Sequence, residues 1–109
     1  MSRPSPGALF AALGDETRLL LVDRLCERGP LSLSQLTAGT GITRQAVTKH
    51  LQVLADAGLV SAVRRGREHV WALDPERFAE ARSRLDQVSQ QWDAALLRLK
   101  TFVEDHPSP

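Results

Sequence analysis

The stretch TRQAVTKHLQVLADAGLV, running from Thr43 to Val60, decides the fold. Thr43 belongs to the residue types that cap helix N-termini, because its hydroxyl accepts from an amide that the first turn leaves unpaired. Gly58 stands where helices commonly end on a left-handed residue. Between them, at about 100° per residue, Val47, Leu51 and Leu54 fall within about 60° of one another and form a stripe to be buried. Gln45, Thr48, Lys49 and Gln52 lie on the opposite side. The spacing predicts an amphipathic helix over residues 43–57 whose outer face is polar, rich in hydrogen-bonding groups and poor in acids.

Downstream of this helix, Leu59, Val60 and Val63 form one β-rich run, and His69, Val70, Trp71 and Leu73 form another. Arg64-Arg65-Gly66-Arg67 lies between them, so the pair reads as a β-hairpin with a basic tip. Asp74-Pro75 supplies an N-cap and a proline suited to the first helical position. A long helix over 75–104 follows. Upstream, Gly39-Thr40-Gly41 separates the polar-faced helix from a short one containing Leu33, Leu36 and Ala38, with Ser32 or Ser34 as its cap. Asp15 caps a helix over 17–28 that buries Leu20, Leu21 and Leu25 and stops at Gly29-Pro30. A short helix over 8–13 closes at Gly14. The expected fold is mainly α with a two-stranded β-hairpin: four helices, a wing of two strands, then a fifth helix. Residues 8–105 form one domain, with residues 1–7 and 106–109 as disordered tails rich in proline and serine.

Composition agrees with one globular domain. The 109 residues are 42% hydrophobic and 25% charged, and no apolar run approaches bilayer length. Met1 to Gly7 is polar and breaker-rich, unlike a signal peptide, which points to a cytoplasmic home. Cys26 is the only cysteine, so no intramolecular disulfide forms, and its place inside a helix suggests an inert buried thiol. Net charge is only +1, but its distribution is uneven. Residues 43–69 hold Arg44, Lys49, Arg64, Arg65 and Arg67 against Asp56 and Glu68, the footprint that a phosphate backbone attracts.

A short helix, a glycine-containing turn, a polar-faced second helix and a basic hairpin together describe a winged helix-turn-helix. The second helix of such a unit enters the major groove of duplex DNA, about 12 Å wide. Gln45 is suited to a bidentate pair with adenine, Arg44 to guanine or phosphate, and Thr48 and Lys49 lie one turn further on. His50 sits on the flank, where a phosphate is the natural partner. Arg64, Arg65 and Arg67 would clamp the backbone from the wing. The bland reading of the same features is a solvated amphipathic helix and a charge-protected hairpin.

The last helix carries a second pattern. Phe78, Ala81, Leu85, Val88, Trp92, Ala95, Leu99 and Phe102 recur at alternating intervals of three and four, an a/d seam that seeks a partner helix. A two-fold mate is the economical partner, with Leu9, Phe10 and Leu13 beside Leu85, Val88, Trp92, Leu96 and Leu99.

These residues resemble the arsenical-resistance repressor (ArsR) family of bacterial winged-helix regulators. The likeness is carried by Phe10 to Arg18 (FAALGDETR), by Ala46 to Leu51 (AVTKHL) and by Leu54 to Val60 (LADAGLV). It implies homodimers that repress transcription and release DNA on binding an inducer, often a metal ion. Carried over residue by residue, it puts DNA contacts at Thr43, Arg44, Gln45, Thr48, Lys49 and His50. The metal half does not carry over: Leu31-Ser32-Leu33-Ser34 stands where metal-sensing members place Cys-x-Cys, and Asp86 and Asp93 have no histidine beside them. No metal and no cofactor are expected, and an inducer, if one exists, is a small molecule of unknown identity. Nothing supports catalysis, since Ser32, Ser34 and Ser61 lack a base partner and the three histidines fall in three separate elements. The competing functions are a winged-helix protein-interaction module and a small-molecule sensor with little DNA specificity.

Overall fold

The computed structural model describes residues 4–106, so residues 1–3 and 107–109 of the two expected tails lie outside it. Five N-caps organise the chain. Ser5 accepts from the Ala8 amide and Pro6 takes the first helical position, so α1 spans Pro6–Leu13 and begins two residues before the apolar pattern does. Asp15 accepts from the Arg18 amide at 3.0 Å and starts α2, Glu16–Arg28. Ser32, not Ser34, caps α3, Leu33–Thr37, in a reciprocal box in which Gln35 returns a bond to the Ser32 amide. Thr43 caps α4, Arg44–Asp56, by accepting from the Ala46 amide at 3.0 Å. Asp74 in turn caps α5, which is 31 residues long, Pro75–Asp105.

The wing is formed by β2, Val60–Arg65, and β3, Glu68–Leu73, antiparallel from Val60 opposite Leu73 to Arg65 opposite Glu68. The sheet has three strands and not the expected two. β1, Leu31–Ser32, pairs with the other edge of β3, giving the order β1-β3-β2. Two residues are too short to show alternation in a sequence. They pair because buried Leu31 lies opposite Trp71 and covers an edge of β3 that would otherwise stand open.

One core joins these elements. Leu21, Leu36, Val47, Leu51, Leu54 and Leu59 are wholly buried in it, which confirms the stripe read on α4. Three expectations are corrected. Leu20 is 40% exposed, because the buried side of α2 is Leu21, Val22 and Leu25. Cys26 is exposed, one position past that stripe. Leu9, expected at a two-fold seam, is 1% exposed and belongs to the core of its own chain.

Only the start of α5 touches that core. Ala81 is buried and Phe78 packs against it, and then the helix leaves the body of the molecule, so that the whole chain extends over 69 × 34 × 23 Å. At its base lies Arg77, only 5% exposed. Its guanidinium reaches Glu80, the Pro4 carbonyl at 2.9 Å and the Ala57 carbonyl at 3.4 Å. It lies against Gly58, whose φ of +78° turns the chain from α4 into the wing and where an added Cβ would stand 3.0 Å from Arg77 Nε. Arg77 thus joins the N-terminal segment, the end of α4 and the root of α5.

Candidate nucleic-acid interface

The outer face of α4 is as open as its periodicity predicts. Arg44, Gln45, Thr48 and Lys49 are all exposed, and together with half-buried Leu33 at the start of α3 they line a hollow of about 500 Å³. Among the described residues, Arg44, Gln45 and Lys49 make no side-chain hydrogen bond or ion pair, so their polar groups face solvent ready for a partner. Thr43 uses its oxygen as the helix cap and keeps its hydroxyl hydrogen. Thr48 donates its hydroxyl to the Arg44 carbonyl at 2.9 Å, so its hydrogen is taken by its own helix. Arg24 fixes the preceding turn: its Nη1 donates to the carbonyls of Leu36 at 2.9 Å and Ala38 at 2.5 Å, closing the end of α3.

His50 is placed differently from the other five. Its Nδ1 lies 3.4 Å from Arg18 Nη1 and 3.8 Å from Asp15 Oδ2, at the N-terminus of α2. A guanidinium has only donors, so with the ring neutral Nδ1 accepts and the ring hydrogen sits on Nε2. The Arg18 amide donates to Asp15 and holds that carboxyl below its usual value of 3.8, with the Arg18 guanidinium and His50 adding to the effect against partial burial. Arg18 also donates from Nε to the Ala12 carbonyl at 2.6 Å, closing α1. Sequence reading missed Arg18 as an organiser. The signal available was the string Gly14 to Arg18, whose cap and guanidinium tie α1, α2 and α4 together.

The wing arginines are exposed, as expected. Arg64 and Arg65 are adjacent on β2, so their side chains leave opposite faces of the ribbon. Arg67 follows Gly66 in the turn, Arg65 is opposite Glu68, and Arg64 Nε donates to the Gly66 carbonyl at 3.2 Å. The tip therefore carries cations on both of its faces.

The predicted apolar seam divides in two. Phe10 and Leu13 pack partly against the core. Val88 is half-buried, whereas Leu85, Trp92, Leu96 and Leu99 are exposed, Trp92 at 65%. Leu97, Phe102 and Val103 are exposed beside them. The metal pattern of some family members does not fit these residues. The Ser32 hydroxyl is used as the cap of α3, and among the described residues no three His, Cys, Asp or Glu side chains converge. No helix among the described residues is long and apolar enough to cross a membrane.

Three helices ending in a polar-faced α4, followed by a basic hairpin backed by a third strand, define a winged helix-turn-helix protein. Residues 13–63 match a family model described as a helix-turn-helix domain. The HTH-type transcriptional regulator YuzN of Bacillus subtilis (strain 168) is 48% identical over 75 residues, covering 63% of this chain and 82% of that one. Among solved structures, an ArsR-like transcriptional regulator from Rhodococcus sp. RHA1 superposes with a TM-score of 0.72 at 33% identity, over 89% of this chain and 91% of the other. The homodimeric winged helix-turn-helix DNA-binding domain of Mb0332 from Mycobacterium bovis, a possible ArsR-family regulator, gives 0.62 at 25% identity over 78% of each chain. The chain belongs to the ArsR family of helix-turn-helix transcriptional regulators.

Proposed function

We propose that the protein is a homodimeric repressor that occupies an inverted-repeat operator, reading each half-site with α4 and gripping the flanking backbone with the wing. The observation that carries this reading is the outer face of α4, where Arg44, Gln45 and Lys49 stand exposed with no partner of their own among the described residues. Gln45 supplies the geometry for adenine, and Arg44 and Lys49 serve either guanine or phosphate. Thr43, His50 through Nε2, and the wing residues Arg64, Arg65 and Arg67 position the helix against phosphate oxygens.

Self-association is supported by the apolar side of α5, which its own chain leaves uncovered from Leu85 onward. Pairing two copies along that side buries both stripes and generates a two-fold axis. The two copies of α4 would then enter successive major grooves about 34 Å apart. A dimer lying across about 20 base pairs blocks polymerase by occupancy, which is the ground for repression. Selection of bound fragments from random duplex DNA tests the proposal. The expected product is an inverted repeat with half-site centres one helical turn, or a multiple of it, apart. Enrichment of no sequence, with binding to a protein partner that is indifferent to salt, would replace the reading with an interaction module.

A further inference from the structure

We infer that the hollow between α3 and α4 receives the C5 methyl group of a thymine, and that Leu33 is a specificity-determining residue of the recognition surface. The inference rests on the DNA-binding reading above and adds to it a base and a side chain, Leu33, that lies outside the set of DNA-contacting residues expected from the sequence.

The hollow is lined by Leu33, Arg44, Gln45, Thr48 and Lys49, so it opens on the same face that presents the groove-reading groups. Its apolar component comes from Leu33, which stands at the first position of α3 and packs inward on the core. That leucine is held in place: the Ser32 cap fixes the backbone just before it, and its carbonyl accepts the Thr37 hydroxyl at 2.7 Å. Thr48 adds to the apolar character. With its hydroxyl hydrogen given to the Arg44 carbonyl, it offers the hollow a methyl group and residual lone pairs, and no free donor.

The major-groove edges of the four bases differ in the group they would bring to such a surface. Guanine, cytosine and adenine present only donors and acceptors, which lose water against a leucine and gain nothing there. Thymine alone presents a methyl group, next to an O4 acceptor. At about 500 Å³ the hollow is large enough for the edge of a base and its sugar-side neighbours, with the methyl as the part that meets Leu33. Gln45 on the rim is suited to an adenine, and Arg44 and Lys49 bring positive charge to the surrounding phosphates. The surface therefore favours an A·T-containing step read by Gln45 and Leu33 together.

The test uses the full-length protein and the operator recovered by selection from random DNA. Each thymine of one half-site, and its symmetry mate, is replaced in turn by deoxyuridine, which pairs identically and lacks only the methyl. Replacement at one position and its mate is expected to weaken binding roughly four- to fifteenfold, the scale of withdrawing a partly or fully buried methyl from each half-site. With Leu33→Ala, or with Thr48→Ser, which removes a methyl and keeps the hydroxyl, the thymine–deoxyuridine difference at that position should fall below about twofold. Thermal melting identifies a variant that fails to fold, and the serine variant carries the test if the alanine variant does. Tight, salt-sensitive binding to an operator in which no deoxyuridine matters, or whose half-sites contain no thymine, overturns the inference and leaves the DNA-binding reading intact. Equal discrimination in wild type and in a folded variant also overturns it. Failure to enrich any sequence overturns the reading beneath it as well.

Discussion

Helices α4 and α5 are both amphipathic, and they resolve that property in opposite ways. On α4 the apolar stripe of Val47, Leu51 and Leu54 is wholly buried within the chain, and what remains outside is polar. On α5 the core takes only Phe78, Ala81 and the aliphatic stem of Arg77, and what remains outside includes Leu85, Trp92, Leu96 and Leu99. A satisfied helix with a polar outer face offers hydrogen bonds and charge, which suit a hydrated, highly charged partner. A helix with an unsatisfied apolar face offers area, which suits another protein surface of the same kind. The exposed sides of two helices in one small chain thus present two different chemistries, each suited to a different kind of partner.

The contrast can be tested at either helix. The largest effect is expected at Trp92→Ala. The proposed two-fold interface would lose two rings, each worth roughly 3 kcal/mol when fully buried, so the dimer dissociation constant should rise by at least a hundredfold on sedimentation. A variant that stays dimeric at nanomolar concentration would remove α5 from the interface. Arg77→Met should come next, with a loss of roughly 2–3 kcal/mol in urea unfolding, because Pro4, Ala57 and Glu80 lose a buried charged partner. Arg77→Lys should recover little, since an ammonium cannot reach three partners in a planar fork. Lys49→Ala on α4 and Arg65→Ala on the wing should leave dimerisation untouched and each lower the salt slope of DNA binding by about one unit. An unchanged slope would place that cation away from the backbone.

The smallest effect concerns Asp15. Its carboxyl sits below the ordinary 3.8 in the folded protein, so the stability it contributes is present above that value and is lost as pH falls through the lowered folded one. Asp15→Asn keeps a capping side chain and should change the melting temperature little at pH 7. Between pH 5 and pH 3 the variant should lose less stability than wild type. Equal losses would show that the cap carboxyl does not contribute to acid sensitivity.

The parts of the fold that were legible in the sequence are those set by local chemistry. Asp15, Thr43 and Asp74 announce their helices because a capping side chain acts within three residues of itself, and the alternating runs around Gly66 announce the hairpin. The exposed face of α4 follows from periodicity, so its residues could be named before any coordinates. Features that depend on distant partners were not legible. β1 exists because β3 offers it an edge, and Arg77 is buried because Pro4, Ala57 and Glu80 surround it, whereas an arginine on a helix is ordinarily taken as exposed. Leu9 and Cys26 were misplaced for the same reason: which side of α1 or α2 faces inward is settled by the other helices. At the candidate site, Gln45 and Lys49 were readable, but Leu33 enters only once α3 and α4 are seen to share a hollow.

The two residues of β1 have one further consequence. They hydrogen-bond to β3 and run without a loop into α3, so the base of the wing and the strut helix beneath α4 share a continuous backbone. The distance from the arginine tip to the groove-reading face is therefore set by rigid elements, like the opening of a fixed caliper. If α4 and the wing grip DNA as proposed, duplexes whose groove width matches that opening would be engaged at no elastic cost. Under the proposed function, stiffer or wider ones would have to deform first, so base pairs that touch no side chain would still enter the choice of operator.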